Sequence, residues 1–574
     1  MNDEDIECDV LIIGSGAGGL ATALVCHHFG LKVMIVEKEA EWGGTTAVSS
    51  GAIWAPLNSF SASLGIPDGI DLVRRYLQET CPHHVDAQTE VFLANVGPAL
   101  DFLQSHSAAR FLTARGCPDY HPEAPGGTFE GRMVWPLPID GRELGQNFFT
   151  LRPPLKQTML FGGMIVGVPE VQAFLRAFRS LDAALFTAQR LMGYLRDRLT
   201  APRGYALQNG NALLARLGKS VFDAEIPICL NTAMKSLTVD GGTVVGAIVQ
   251  RNDVDMAIKA HFGIVLATGG ASGSEAFRQR YFAHVQRGVQ HHTLVPPGVT
   301  GDGLFAAEKI GAAIEASASS PVIWSPISMA PQRSGPELPF PSMFDRAKPG
   351  FIAVGPDGRR FTNEAAPYQV FVPEMIKAAQ KAGANAGYAW LIGSRVSARK
   401  YGIGAARPAP FRIGPHLRSG YIKRGENARE LARNIGVDPD TLVDTIARYN
   451  MQAIDGVDRD FGRGTSAFDR FLGDPMRSPN PCVGPVEGEL YAVKIQVGDV
   501  GTTFGIQVDA SSQVVDTAGK PIPNLYSVGA DSASIFGGGC PGGGSALGPA
   551  LAFAYVAGRS IAKSAGKLKD ASTN

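Results

Sequence analysis

The chain has 574 residues, 45% hydrophobic and 18% charged, so a large buried core is available and disorder is not expected. Its 53 basic and 53 acidic residues cancel, which excludes the charge excess of a nucleic-acid binder or a charged membrane tail. Cys8, Cys26, Cys81, Cys117, Cys229, Cys482 and Cys540 form no CxxC pair, which predicts no metal site and fits a reducing cytoplasm better than a disulfide framework.

The acidic start, Met1 to Glu7, has no export signal, and no run of about 20 apolar residues predicts a membrane span. Peripheral membrane contact stays open. The 69 glycines, roughly 12% against an average of about 7%, cluster in short runs. Such runs suggest backbone held close to a ligand.

Residues 9–13 (DVLII) read as a buried parallel strand, and Leu20 to Phe29 follow at helical spacing. Residues 32–36 (KVMIV) form a second strand ending at Glu37, which completes a βαβ unit. Gly43 to Pro56 is a loop; residues 70–115 and 170–200 read as mainly helical. Thr243 to Val249 and Gly263 to Leu266 read as strands, and 303–314 as a helix. Proline and serine in 320–345 mark a change of domain. Asp438 and Pro439 open a helix with Leu442, Ile446 and Tyr449 on one face. The last helix begins near Pro549, and no internal repeat appears.

The strongest chemical signal is Gly14-x-Gly16-x-x-Gly19, set between a strand and a helix. Gly14 permits the tight turn, Gly16 admits a pyrophosphate, and Gly19 lets helix and strand approach. Glu37 stands where a carboxylate would take the adenosine ribose hydroxyls. Glycine-rich turns also occur for structural reasons, so the context carries the dinucleotide reading. A second glycine loop, Gly43-Gly44-Thr45-Thr46, follows Glu37-Lys38 at once and can wrap a pyrophosphate and ribityl chain. Ala267-Thr268-Gly269-Gly270 ends another strand. Together these favour FAD over NAD.

The segments GSGAGGLATA, GGTTAVSSGAIW, ATGG, GDGL and GPALAFAYVAG resemble the flavoprotein family of fumarate reductases and 3-ketosteroid dehydrogenases, from residue 9 to about 562. The resemblance implies an α/β fold: a Rossmann-type FAD-binding domain from both chain ends (1–318 and 499–574) with an inserted α+β capping domain (319–498). It also places Ser49, Gly51, Ala52, Ala233, Asp302 and Asp531 near FAD. Ala546 and Leu547 open the last helix, whose positive end would face the reduced flavin ring. No histidine stands in the Thr45–Ala47 region, so FAD is expected to be non-covalent.

Within the family, the HPTG-type motif of the dicarboxylate branch is missing. Pro118-Asp119-Tyr120, Phe361-Thr362-Asn363-Glu364-Ala365-Ala366-Pro367-Tyr368 and Pro541-Gly542-Gly543-Gly544 are similar to the ketosteroid branch. That branch implies desaturation beside a ketone, with Tyr368 as base, Tyr120 supporting it and the Gly544 N–H donating to the carbonyl oxygen. The hydride goes to flavin N5. For each tyrosine, plain core packing is the competing account. Where the family has a donor tyrosine before the Pro-Gly run, this chain has Cys540, whose thiol is a weak donor.

The reading is an FAD-dependent dehydrogenase that forms a C=C bond beside a ring ketone, steroid or smaller, and passes electrons to a quinone or similar acceptor. An ene-type reductase of the same family and a non-catalytic FAD-fold binding protein are the alternatives.

Overall fold

The computed structural model describes residues 6–568 apart from 114, 168–169, 171–172, 175–176, 178–179, 333 and 384–386. Alternation in the first strand, Ile6–Ile13, sets the architecture. Val10 and Ile12 enter one core, while Leu11 and Ile13 enter another on the opposite face. A strand buried on both faces reads as a continuous apolar run, which is why DVLII shows no polar alternation. Ile6–Ile13 pairs in parallel with Val33–Val36 on one side and with Val254–Leu266 on the other. Val254–Leu266 pairs in parallel with Pro521–Ser527, so one sheet joins the two ends of the chain. Among the described residues this sheet has eight strands, with the antiparallel Thr232–Asp240 and Thr243–Arg251 as an appended meander.

Helices Ala17–His28 and Leu547–Ser564 cover one face together. Their close approach needs Gly558, where an added Cβ would lie 2.5 Å from Val25 Cγ1. Leu20, Leu551 and Ile561 are fully buried there, each stabilising the fold by about 1.5–3 kcal/mol.

A second sheet has seven strands among the described residues, with Leu490–Thr502 pairing both Val322–Ala330 and Tyr388–Ser394. Phe351–Val354 continues it beyond Tyr388–Ser394. His292–Thr293, from before the expected insertion, also pairs with Leu490–Thr502. That long strand runs through the expected boundary at 498/499, and its end, Val500, Gly501 and Thr502, reaches the cavity between the two sheets.

The expected α/β class therefore holds. Helix Pro439–Ile454 is capped by Asp438, whose carboxylate accepts from Thr441 N at 2.8 Å, and it buries Leu442, Ile446 and Tyr449. Other elements differ in extent. The helix expected over 303–314 is Asp302–Lys309, because Gly311 adopts a left-handed φ of +94° that ends it. The stretch 70–115 breaks into helices Ile70–Thr80 and Asp86–His106, then turns to strand at Phe111–Thr113. The expected helix 170–200 falls partly outside the described residues; its described part is Leu181–Asp197.

Candidate active site

A single cavity of about 940 Å³ runs from the first glycine loop to the second sheet. Its dinucleotide end is made by local turns. Gly14 has φ +109°, and a Cβ there would meet Ala267 O at 2.2 Å. A Cβ on Gly19 would meet Gly14 O at the same distance, so helix Ala17–His28 can start against the strand only with glycine. Gly16 is the N-cap of that helix and has no side chain to close its N-terminus. The end is left open to an anion, as a pyrophosphate needs.

The second loop lies across this opening. Thr46 Oγ1 accepts from Ala17 N at 3.2 Å. Thr45 lines the cavity, and its Oγ1 is enclosed and has no partner among the described residues. A buried hydroxyl left unpaired is costly, so this atom marks where a polar ligand belongs. Glu37 Oε2 accepts from Ser15 N at 3.1 Å and Ser15 Oγ at 2.6 Å, and its Oε1 accepts from Glu39 N at 3.1 Å. A carboxylate has about four acceptor sites, so Glu37 holds the turn and can still take a ribose hydroxyl. Lys38 pairs with Asp302 at 2.7 Å, joining two residues that the sequence placed near the cofactor.

Gly14, Gly16, Gly19, Glu37, Lys38, Gly44, Thr45, Thr46, Ser49, Ala52, Thr268, Gly269, Asp302, Ala546 and Leu547 all line the cavity. Gly51, Ala233 and Asp531 stand outside its lining. Gly51 packs against Asn209, where a Cβ would come within 2.5 Å of the backbone. Ala233 lies between the lining residues Thr232 and Met234. Asp531 is buried behind the wall, accepting from Thr268 N, from Thr268 Oγ1 at 2.8 Å and from Gly270 N at 2.8 Å. It shapes the Thr268–Gly270 turn. The open helix end, the orphaned Thr45 hydroxyl and the glycine cradle fit a flavin dinucleotide.

At the other end, Tyr120 and Tyr368 meet through their hydroxyls at 2.6 Å, with ring centroids 5.5 Å apart. Cys540 completes the group, its thiol beside the Tyr368 hydroxyl and 3.7 Å from Gly542 O. Phe468 packs on Tyr120, and Ile323 and Leu472 close the apolar wall. Burial first, then each other's proximity and Cys540, holds Tyr368 well above its ordinary range. Burial likewise raises Tyr120, against the opposing pull of the Arg346 charge. Burial pushes the Cys540 thiol up to about 11, so it stays protonated near neutrality.

Each tyrosine is fixed by its own motif. Asp119 accepts from Trp54 Nε1 at 2.8 Å and pairs with Arg132 at 2.9 Å, while Tyr120 N donates to Pro541 O at 3.0 Å. Tyr368 is the first residue of helix Tyr368–Lys381. The turn before it is held by Arg346, which donates to the Glu364 carbonyl and to Ala366 O at 2.7 Å. Asn363 Nδ2 donates to Asp469 at 2.8 Å, and Glu364 pairs with Arg360 at 2.7 Å. Gly544 has φ +97°, and a Cβ there would meet the Ala52–Ile53 backbone at 2.5 Å. Its carbonyl accepts from Trp54 N and Gly548 N, while among the described residues its N–H has no partner.

Sequence reasoning missed Ser15, Arg346, Ile323 and Phe468. Ser15 could have been found, since it stands inside the glycine fingerprint. The others carry no linear signal.

The fold and cavity define a dinucleotide-binding α/β flavoprotein in which the loop carrying Tyr120 and the start of helix Tyr368–Lys381 bring a tyrosine pair to the far end of the cofactor site. A profile of the FAD binding domain family matches residues 9–547, and the chain belongs to that family. It is 37% identical over 564 residues to the 4-oxocyclohex-2-ene-1-carboxylate 5-dehydrogenase of Sinomonas cyclohexanicum, covering 98% of this chain and 95% of that one. It is 34% identical to the 3-oxosteroid 1-dehydrogenase of Mycolicibacterium smegmatis, covering 97% and 98%. The crystal structure of 3-ketosteroid delta1-dehydrogenase from Sterolibacterium denitrificans in complex with 1,4-androstadiene-3,17-dione superposes with a TM-score of 0.88 at 32% identity, covering 97% of this chain and 100% of that one. The protein is an FAD-dependent dehydrogenase of the ketosteroid-dehydrogenase-like branch.

Proposed function

We propose that the protein introduces a C=C bond alpha,beta to the ketone of a ring substrate, with Tyr368 taking the alpha proton. The observation that carries this is the hydroxyl pair Tyr120–Tyr368 at 2.6 Å, half-buried at the end of the cofactor cavity. Bound FAD supplies the hydride acceptor. The Tyr368 oxygen acts in its ionised form, taking the proton from the carbon beside the ketone to become the phenol, and Tyr120 donates a hydrogen bond to that phenolate. The unpartnered Gly544 N–H donates to the ketone oxygen, where negative charge grows. The wall of Ile323, Phe468 and Leu472 excludes water. Cys540 stands beside this group as a weak donor.

Two substrate classes stand behind this reading, because the similar proteins named above act on neutral steroids or on a ring-ketone carboxylate. We assign residues 1–318 and 499–574 to the FAD-binding domain and 319–498 to the catalytic cap, with electrons leaving to a quinone or similar acceptor. Among the described residues no helix is long and apolar enough to cross a membrane, and no group of acidic, His or Cys side chains is placed to hold a metal.

The test is anaerobic titration of the yellow holoenzyme with cyclic ketones and with simple carboxylates. Bleaching of the flavin by saturated ring ketones, without nicotinamide, is the expected result. Bleaching by none of the ketones would overturn the assignment.

A further inference from the structure

Among the described residues four cationic side chains line the cavity: Lys38, Arg152, Arg346 and Arg407. Three are already answered by acids. Lys38 pairs with Asp302 at 2.7 Å, and Arg152 lies 3.6 Å from Glu39 and 3.5 Å from Glu41. Arg346 has Asp345, Asp469 and Glu364 around it and spends Nη1 on backbone carbonyls.

Arg407 is different. Its Nη2 donates to the carbonyls of Gln157 and Met159, and its guanidinium lies 5.6 Å from the Phe411 ring centroid. Among the described residues it has no ion pair, and burial is the one influence on its pKa, lowering it. Among the described residues Nε and Nη1 have no partner, and Arg407 is half-buried on the cavity lining. Its neighbour Phe411 meets the Phe161 ring at a centroid distance of 5.8 Å, and both rings line the cavity with Met159.

A guanidinium drawn into an apolar wall without a counter-ion is costly. The cost is offset if a ligand brings the anion, and Nε with Nη1 is the edge that grips a carboxylate bidentately. One such edge fits one carboxylate, whereas a dicarboxylate needs two. We propose that Arg407 anchors a substrate carboxylate, so that the site selects a small ring ketone bearing one carboxylate over neutral ketones, steroids included. This rests on the ring-ketone reading above and adds the substrate class to it.

The experiment uses holoenzyme of wild type, Arg407→Gln and Arg407→Lys. Binding is read from the change in flavin absorbance on adding cyclohexanecarboxylate, which has no ketone and cannot react. Turnover is read by anaerobic stopped flow with 4-oxocyclohexanecarboxylate, its methyl ester and androst-4-ene-3,17-dione. Wild type should prefer the acid to its ester and to the steroid. In Arg407→Gln the acid-to-ester ratio of kcat/KM should fall by about 10- to 100-fold, the range for a lost charge-assisted pair. The Kd of cyclohexanecarboxylate should rise by a similar factor, and Arg407→Lys should fall between.

An unchanged ratio in Arg407→Gln, or a wild type that prefers the ester or the steroid, overturns the anchor. If Arg407→Gln does not retain FAD, the ratio in Arg407→Lys and the wild-type preference decide it by the same criteria. Arg407-dependent binding of cyclohexanecarboxylate with no ketone bleaching the flavin would support the anchor while sinking the ring-ketone reading. Ketone turnover without any dependence on Arg407 would do the reverse.

Discussion

Gly14, Gly16, Gly19, Glu37, Thr45 and Thr46 stand within one βαβ unit and its next loop, whereas Tyr120 and Tyr368 lie 248 residues apart in the chain. The two ends of the cavity also treat polar groups differently. At the dinucleotide end Gly16 brings no side chain to the helix start and, among the described residues, the Thr45 hydroxyl has no partner. At the far end the tyrosine hydroxyls are half-buried against each other and shifted. Binding a fixed, charged cofactor needs donors aimed at it, and short-range turns place them. Proton transfer needs groups removed from water, and only the meeting of distant segments encloses them.

Substitution can break this contrast most sharply at Tyr368. Tyr368→Phe keeps the ring but removes the hydroxyl, so flavin reduction by a ring ketone should slow by about 10²–10⁴ with FAD still bound. Stopped-flow flavin reduction measures it, and a normal rate would sink the base assignment.

The pH profile sharpens the same point. Both tyrosines are raised above the ordinary value of about 10, mainly by burial. Below its pKa, the ionised fraction of a group grows about tenfold per pH unit. Flavin reduction should therefore climb from neutrality with no levelling at or below pH ~10. A plateau near neutrality would show that another group is the base.

At the dinucleotide end the effect is on binding. Glu37→Ala removes an acceptor for the ribose and the grip on Ser15, a cost of about 1.5–3 kcal/mol. The Kd for FAD should rise by about 10- to 100-fold, with the rate of flavin reduction in the loaded fraction little changed. Isothermal titration of the apoprotein gives the first quantity, and equal affinity for FAD would remove Glu37 from the site. Acid or heat should release free FAD from the wild type; flavin fluorescence staying with the denatured band would show a covalent link.

The smallest effect is expected at Cys540. A thiol near 11 is a protonated wall group, so Cys540→Ser should change the rate less than about threefold, well under the 10²-fold scale of a group that moves a proton. A collapse comparable to Tyr368→Phe would make the thiol part of the chemistry.

The dinucleotide end was legible in the sequence because its constraints are local. A tight turn, a close helix start and a carboxylate after the second strand each leave a residue type at a fixed spacing, and the glycines show the reason in their forbidden Cβ positions. The motifs around Tyr120 and Tyr368 were readable as resemblance, and Asp119, Asn363 and Glu364 show why those words are long: each braces its tyrosine from below. The break at Gly311 is a local glycine cap that the sequence also carried, whereas the reach of Leu490–Thr502 into the cavity was decided by tertiary packing. So were Arg346 and Arg407. An arginine in a sequence looks like solvated surface; only the burial of Arg346 against backbone carbonyls, and the placing of Arg407 on the cavity lining with no ion pair among the described residues, gives each its chemistry. Burial is a property of what packs around a side chain, and no spacing within one segment encodes it.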